Sequence, residues 1–266
     1  MSGFSDAWLR ARAAWDGPAR NRTVEGALRA WAQARTDRLV IVDLGAGNGN
    51  NQRHLAPLFT QPVDWLLVDN DPALLAAAER NAALKDGDRL DCRTTDLGLA
   101  DLEQLIAGAD LVTASALFDL VSELWLGRLL DALEKHSSAL LAVLTYDGRM
   151  EVDVEVGETE MVRRFFNRHQ QGDKGLGPAL GPEAATALST SLRERSYDLF
   201  EGDSDWNIGA GDSGVDELVR GWVSAASEIA PELASEISSW GADLLSGHGS
   251  RIRVGHRDHF AIPRIN

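Results

Sequence analysis

Along the first 150 positions, short runs of consecutive apolar residues end in acidic or polar residues, and between them apolar positions recur every three to four residues. The runs are Leu39–Val42, Trp65–Val68, the weaker Leu90-Cys92-Thr94, Leu111–Ala114 and Ala139–Leu144. Runs this short between helical stretches read as strands buried on both faces, the pattern of a parallel sheet. The intervening helices are expected near 50–59, 73–84, 101–107 and 124–136, with Asp71 as N-cap and Pro72 at the first helical position of the second. Upstream, Phe4 to Arg35 repeats apolar residues at helical spacing with Pro18 between its halves, which predicts two helices. Beyond Tyr146 the rhythm changes. Glu151 to Gly177 is polar and glycine-containing, a helix is expected over 183–195, a strand over 197–206, a helical stretch over 215–245 and a last strand over 252–262. The expectation is an α/β fold: a doubly wound, mostly parallel seven-stranded sheet with N-terminal helices and a helical insertion near the C-terminus. We read one domain, with a helical cap (1–37), a core (38–147), substrate-side elements (148–250) and a final strand (251–266).

The first strand runs into Asp43-Leu44-Gly45-Ala46-Gly47-Asn48-Gly49-Asn50. Glycines at alternate positions permit positive φ and close approach of a ligand to the backbone. A dinucleotide turn carries G-x-G-x-x-G, its third glycine packing the helix while the helix start holds a pyrophosphate. Here position 50 is Asn and the third glycine falls one residue early, so a nicotinamide cofactor and an NAD-dependent oxidoreductase form the weakest reading. Ligands of open parallel sheets bind beyond the carboxyl ends of the strands, and polar residues gather there: Asp43, Asp69, Asp96, Ser115 to Asp119, and Tyr146 with Asp147.

This arrangement resembles the class I S-adenosylmethionine-dependent methyltransferases over about residues 38 to 147, with Asp43 to Gly49 matching their first motif. The resemblance implies a Rossmann-like methyltransferase fold and S-adenosyl-L-methionine as methyl donor. It places Gly45, Ala46, Gly47 and Asn48 against the donor's methionine part and Asp43 at its ammonium group. It gives Asp69, beside Asn70, to the ribose hydroxyls, Asp96 and the Leu97 backbone to the adenine, and Ser115 to the end of the fourth strand. The N-terminal Trp15, Arg20, Asn21 and Arg22 are placed to close over the donor, with an arginine, Arg22, paired to its carboxylate. Asp71 is better explained as a helix cap.

The 41 acidic against 26 basic residues leave a net charge of −15, which opposes a phosphate backbone and disfavours nucleic acid. No apolar stretch approaches the roughly 20 residues that span a bilayer, and the single cysteine, Cys92, excludes an internal disulfide and suits a reducing cytoplasm. No metal site is expected: His256 and Asp258 fall on one face of the last strand and His259 on the other, too few ligands.

The acceptor side is less determined. The fourth strand ends in Ala114-Ser115-Ala116-Leu117-Phe118-Asp119-Leu120, without the Asn-Pro-Pro-aromatic sequence of enzymes that modify exocyclic or amide nitrogens. Asp119 and Glu123 are placed to orient an acceptor hydroxyl or amine. His169, in Phe165 to Gly175, is the preferred base, because an unperturbed imidazole can exchange protons near neutral pH. The 215–245 stretch, with Trp222 and Trp240, is expected as a lid or a homodimer surface. The leading reading is methyl transfer to an O or N acceptor on a small metabolite. The alternatives are modification of RNA or protein, and a donor-binding module without catalysis.

Overall fold

The computed structural model describes residues 5–153, 158–209, 211–246 and 251–264; Phe4, counted into the first helical segment, lies outside them. Five parallel strands form the centre: β1 (Leu39–Leu44), β2 (Val63–Asp69), β3 (Arg89–Thr94), β4 (Leu111–Ser115) and β5 (Ala139–Val152). The order across the sheet is β3-β2-β1-β4-β5, continued by the antiparallel β8 (Arg251–Pro263) and β6 (Tyr197–Asp203), with β7 (Trp206–Gly209) also paired to β8. Among the described residues the sheet therefore has eight strands, one more than the seven expected. The segment read as one strand over 197–206 breaks at Ser204-Asp205, and its second piece pairs further along β8.

Alternate residues of the central strands feed two separate cores, which is why their sequences are apolar throughout. Val42 and Leu44 of β1, Val112 and Ala114 of β4, and Leu140 and Ala142 of β5 pack with α6 (Glu123–His136) and α8 (Ala184–Glu194). Leu39 and Ile41, Leu111, Leu141 and Val143 face the other way, against α2 (Arg22–Gln33) and α3 (Asn50–Leu55). Leu28 of α2 and Leu44 are fully buried, a gain of about 1.5–3 kcal/mol for each such side chain. As expected, α4 (Pro72–Asn81) begins at Asp71, whose carboxylate accepts from the Ala73 and Leu74 amides at 2.8 and 3.3 Å.

Strand β5 runs eight residues past the expected end at Leu144, and the register against β8 shifts twice, between Ala142 and Thr145 and between Tyr146 and Met150. At the first shift Leu144 adopts φ 53° and its amide donates to buried Asp258 of β8 at 2.8 Å. The other Asp258 oxygen accepts from the Asn21 amide at 2.8 Å, so one carboxylate ties the bulge to the start of α2. Past the bulge, Leu144, Tyr146 and Met150 enter a third core with α9 (Val215–Ile229), α10 (Ala234–Ser246) and α7 (Thr159–Gln170). Helix α7 occupies part of the polar, glycine-containing segment for which the sequence predicts no element. Trp222 and Trp240 are buried within this third core, so they anchor the 215–245 helices onto the protein's own sheet.

Candidate active site

The carboxyl ends of β1, β2 and β4 open into a cavity of about 400 Å³, roofed by Leu9, Arg12 and Asp16 of α1 (Asp6–Ala19). Its floor is the glycine turn. Gly45 and Gly47 sit at φ 66° and 52°, a region costly for residues with a Cβ. A Cβ on Gly47 would meet the Leu9 side chain at 3.0 Å, so glycine there lets α1 close over the turn. Asn48 fastens the roof, donating from its side-chain amide to Asp6 at 2.9 Å.

Of the residues expected at a donor, Gly45, Ala46, Gly47, Asn48, Asp69, Asn70, Leu97 and Ser115 all line this cavity. The carboxylate of Asp69 accepts from the Gly47 amide at 2.8 Å and the Asp71 amide at 2.9 Å; it holds the turn and keeps further lone pairs for a ligand. Asp71 caps α4 and also lines the cavity.

Asp43 lies beneath the turn, fully buried. One oxygen accepts from the Asn51 side chain at 2.9 Å, whereas the other has no partner. Burial raises its carboxyl to about 7, opposed by the Asn51 bond and the charge of Arg20. Asn51 also donates to Thr113 at 3.1 Å and accepts from Arg20 at 2.9 Å, and Arg20 reaches the Ser115 hydroxyl at 3.5 Å. Two further atoms in this region are buried and unpartnered donors, Arg20 Nε and Nη1, and one is an acceptor, Asn48 Oδ1.

Three expected donor residues do not line the cavity: Asp43, sealed beneath the turn, Arg22 and Asp96. Arg22 is exposed at the first position of α2 and does not line the cavity; the α1–α2 connection turns its side chain outward and buries Arg20. Asp96 is exposed and accepts from the Gly98 amide at 2.8 Å, leaving its neighbours Thr95 and Leu97 to line the wall. In the place assigned to Arg22, the wall carries Arg12, missed in the sequence. Arg12 Nε donates to Asp16 at 3.0 Å and its guanidinium lies 5.5 Å from the Trp206 ring centre. Asp16 is fixed by the Asn50 amide at 3.2 Å and the Trp206 indole at 3.1 Å. The available signal was the Arg12/Asp16 pair at helical spacing beside Trp8 and Trp15.

Beyond Ala116, which lines the cavity in a left-handed conformation (φ 51°), lies an aromatic wall. Trp15 and Trp206 rings are 5.4 Å apart, Trp206 and His256 4.7 Å, His256 and Tyr146 6.0 Å, and Tyr146 and Phe166 5.9 Å. Burial lowers His256 to about 4, so it is neutral at physiological pH. Asp119 is 9 % exposed, its Oδ1 buried without a partner; burial raises its carboxyl to about 6, against the charges of Arg12 and Lys174. His169 stands in the last turn of α7, 3.2 Å from Glu228 of α9, and does not line the cavity.

A glycine turn after β1, an acid ending β2 and the strand order above define the Rossmann-like methyltransferase fold. Solved structures agree on that fold. A candidate methyltransferase from Bacillus halodurans C-125 is similar at TM-score 0.52 with 12% identity over 90% of this chain and 99% of its own. A candidate type II methyltransferase from Anaeromyxobacter dehalogenans gives 0.50 with 17% identity over 92% and 97%. The cyclopropane synthase MmaA2 from Mycobacterium tuberculosis gives 0.50 with 12% identity over 97% and 94%. No family model and no curated protein sequence matches the chain.

Proposed function

We propose that the protein is an S-adenosylmethionine-dependent methyltransferase that methylates an O or N acceptor on a small metabolite. The reading rests chiefly on the set of unpartnered buried groups around the glycine turn. Asn48 Oδ1 and Asp43 Oδ2 are acceptors without donors, and Arg20 Nε and Nη1 are donors without acceptors. Buried polar groups are costly unless paired, and an amino acid moiety, with an ammonium at one end and a carboxylate at the other, matches both kinds. A pyrophosphate would bring the acidic groups only repulsion. The methyltransferase neighbours in fold add support.

The donor, when bound, supplies an electrophilic methyl on a sulfonium. The chain's residues hold and orient it. Asp69 takes the ribose hydroxyls, Asp43 and Asn48 the ammonium, Arg12 and Arg20 the carboxylate, and Leu74, Leu97, Leu120 and Leu176 shelter the adenine. In-line displacement gains mainly from positioning and exclusion of water, which α1 and the aromatic wall provide. Asp119, beside the fourth strand end, is the better-placed group to take an acceptor proton; His169 is engaged with Glu228.

Calorimetry with S-adenosylhomocysteine and with NAD tests the donor. Heat with the first alone is expected, and heat with NAD alone refutes the proposal. Incubation with methyl-labelled donor and a metabolite extract tests the transfer; labelled small molecules are expected.

A further inference from the structure

We infer that the acceptor is a small amine, held as its cation by Asp119 against the aromatic wall; this rests on the methyl-transfer reading above. Asp119 stands between the cavity-lining Leu117 and Leu120; Arg12 and Lys174 act on its charge from a distance, but among the described residues it forms no ion pair. Arg12 is bonded to Asp16 at 3.0 Å. Lys174 donates to the His169 carbonyl at 3.2 Å, with Glu228 the largest charge acting on it and Asp119 the next. Neither cation comes within salt-bridge reach of Asp119, whose Oδ1 is buried with no donor. A buried carboxylate oxygen left in this state calls for an N–H or O–H from a ligand.

Two observations favour an ammonium over a hydroxyl. Trp15, Trp206, His256, Tyr146 and Phe166 follow one another at ring separations of 4.7 to 6.0 Å; Arg12 already lies 5.5 Å from the Trp206 ring centre, and aromatic rings attract cations. The net charge of −15 draws cationic ligands and repels anionic ones at a distance. In the transfer, one ammonium proton passes to the Asp119 carboxylate and on to water. The freed nitrogen lone pair then forms the N–C bond to the methyl as the C–S bond breaks, and that bond's electron pair returns to sulfur. The products are a methylammonium, a neutral thioether and one released proton.

Binding gives a readout independent of turnover. Phenethylammonium, 2-phenylethanol and 3-phenylpropanoate share a phenylethyl body and differ in head group, and each is titrated calorimetrically into the protein saturated with S-adenosylhomocysteine. The ammonium is expected to bind at least about tenfold tighter than the other two, and Asp119→Asn to reduce that preference to about twofold or less while S-adenosylhomocysteine still binds. In parallel, the wild-type protein receives labelled donor and a metabolite extract separated by cation exchange; label should enter the retained amines as N-methyl products. Label confined to neutral or anionic fractions, or absent although the donor binds, would overturn the amine assignment and leave donor binding standing. So would a tighter alcohol or acid, or an amine preference that survives Asp119→Asn. Failure of S-adenosylhomocysteine to bind would overturn the underlying reading as well.

Discussion

Asp43 and Asp69 end neighbouring strands, yet their surroundings set them to different work. Asp69 spends both oxygens on the Gly47 and Asp71 amides and remains open to the cavity, so Asp69→Ala should weaken donor binding by on the order of 2–4 kcal/mol; unchanged affinity by calorimetry would refute the ribose role. Asp43 is sealed below the turn with its carboxyl raised to about 7, so near neutrality much of it is protonated. A donor ammonium brought up to the turn, acting on it directly or through water, favours the ionised form. Binding below about pH 7 should therefore expel a proton, and donor affinity should rise with pH and level off above that value. Calorimetry at pH 6 in two buffers of different ionisation enthalpy measures the release, which Asp43→Asn should abolish.

At the scale of elements, the alternation through β5 was legible because each central strand is buried on both faces and each helix on one. The Asp71 cap was legible because capping is local chemistry. Helix α7 was not, since Val162 is its only buried residue and its partners in α9 lie some 60 positions later. Arg12 escaped notice for a similar reason: Asp16 is close in sequence, but Trp206, which completes its setting, is 190 residues from Asp16. Arg22 and Arg20 cannot be told apart before the α1–α2 turn is known. His169 braces α7 to α9 through Glu228 across a partly solvated surface. His169→Ala should cost less than about 1 kcal/mol of stability and leave turnover within about twofold, which steady-state kinetics and thermal melting would check. Asp258 carries more. Asp258→Ala strands the Leu144 and Asn21 amides at once, and a loss on the order of 2–5 kcal/mol is expected in denaturant titration.

Across the whole molecule, the cavity at the strand ends joins parts of the chain that are far apart. Its floor comes from β1, β2 and β4, its roof from α1, and the roof is pinned by Trp206 on β7. During synthesis at about 5–20 residues per second, Asp16 and Trp15 leave the ribosome roughly 10–40 seconds before Trp206 does. For that interval the first helix can settle on the glycine turn through Leu9 and the Asn48–Asp6 bond, but Trp8 and Trp15 lack the Trp206 ring they pack against. A chain stalled short of β7 would carry the glycine turn without its clasp.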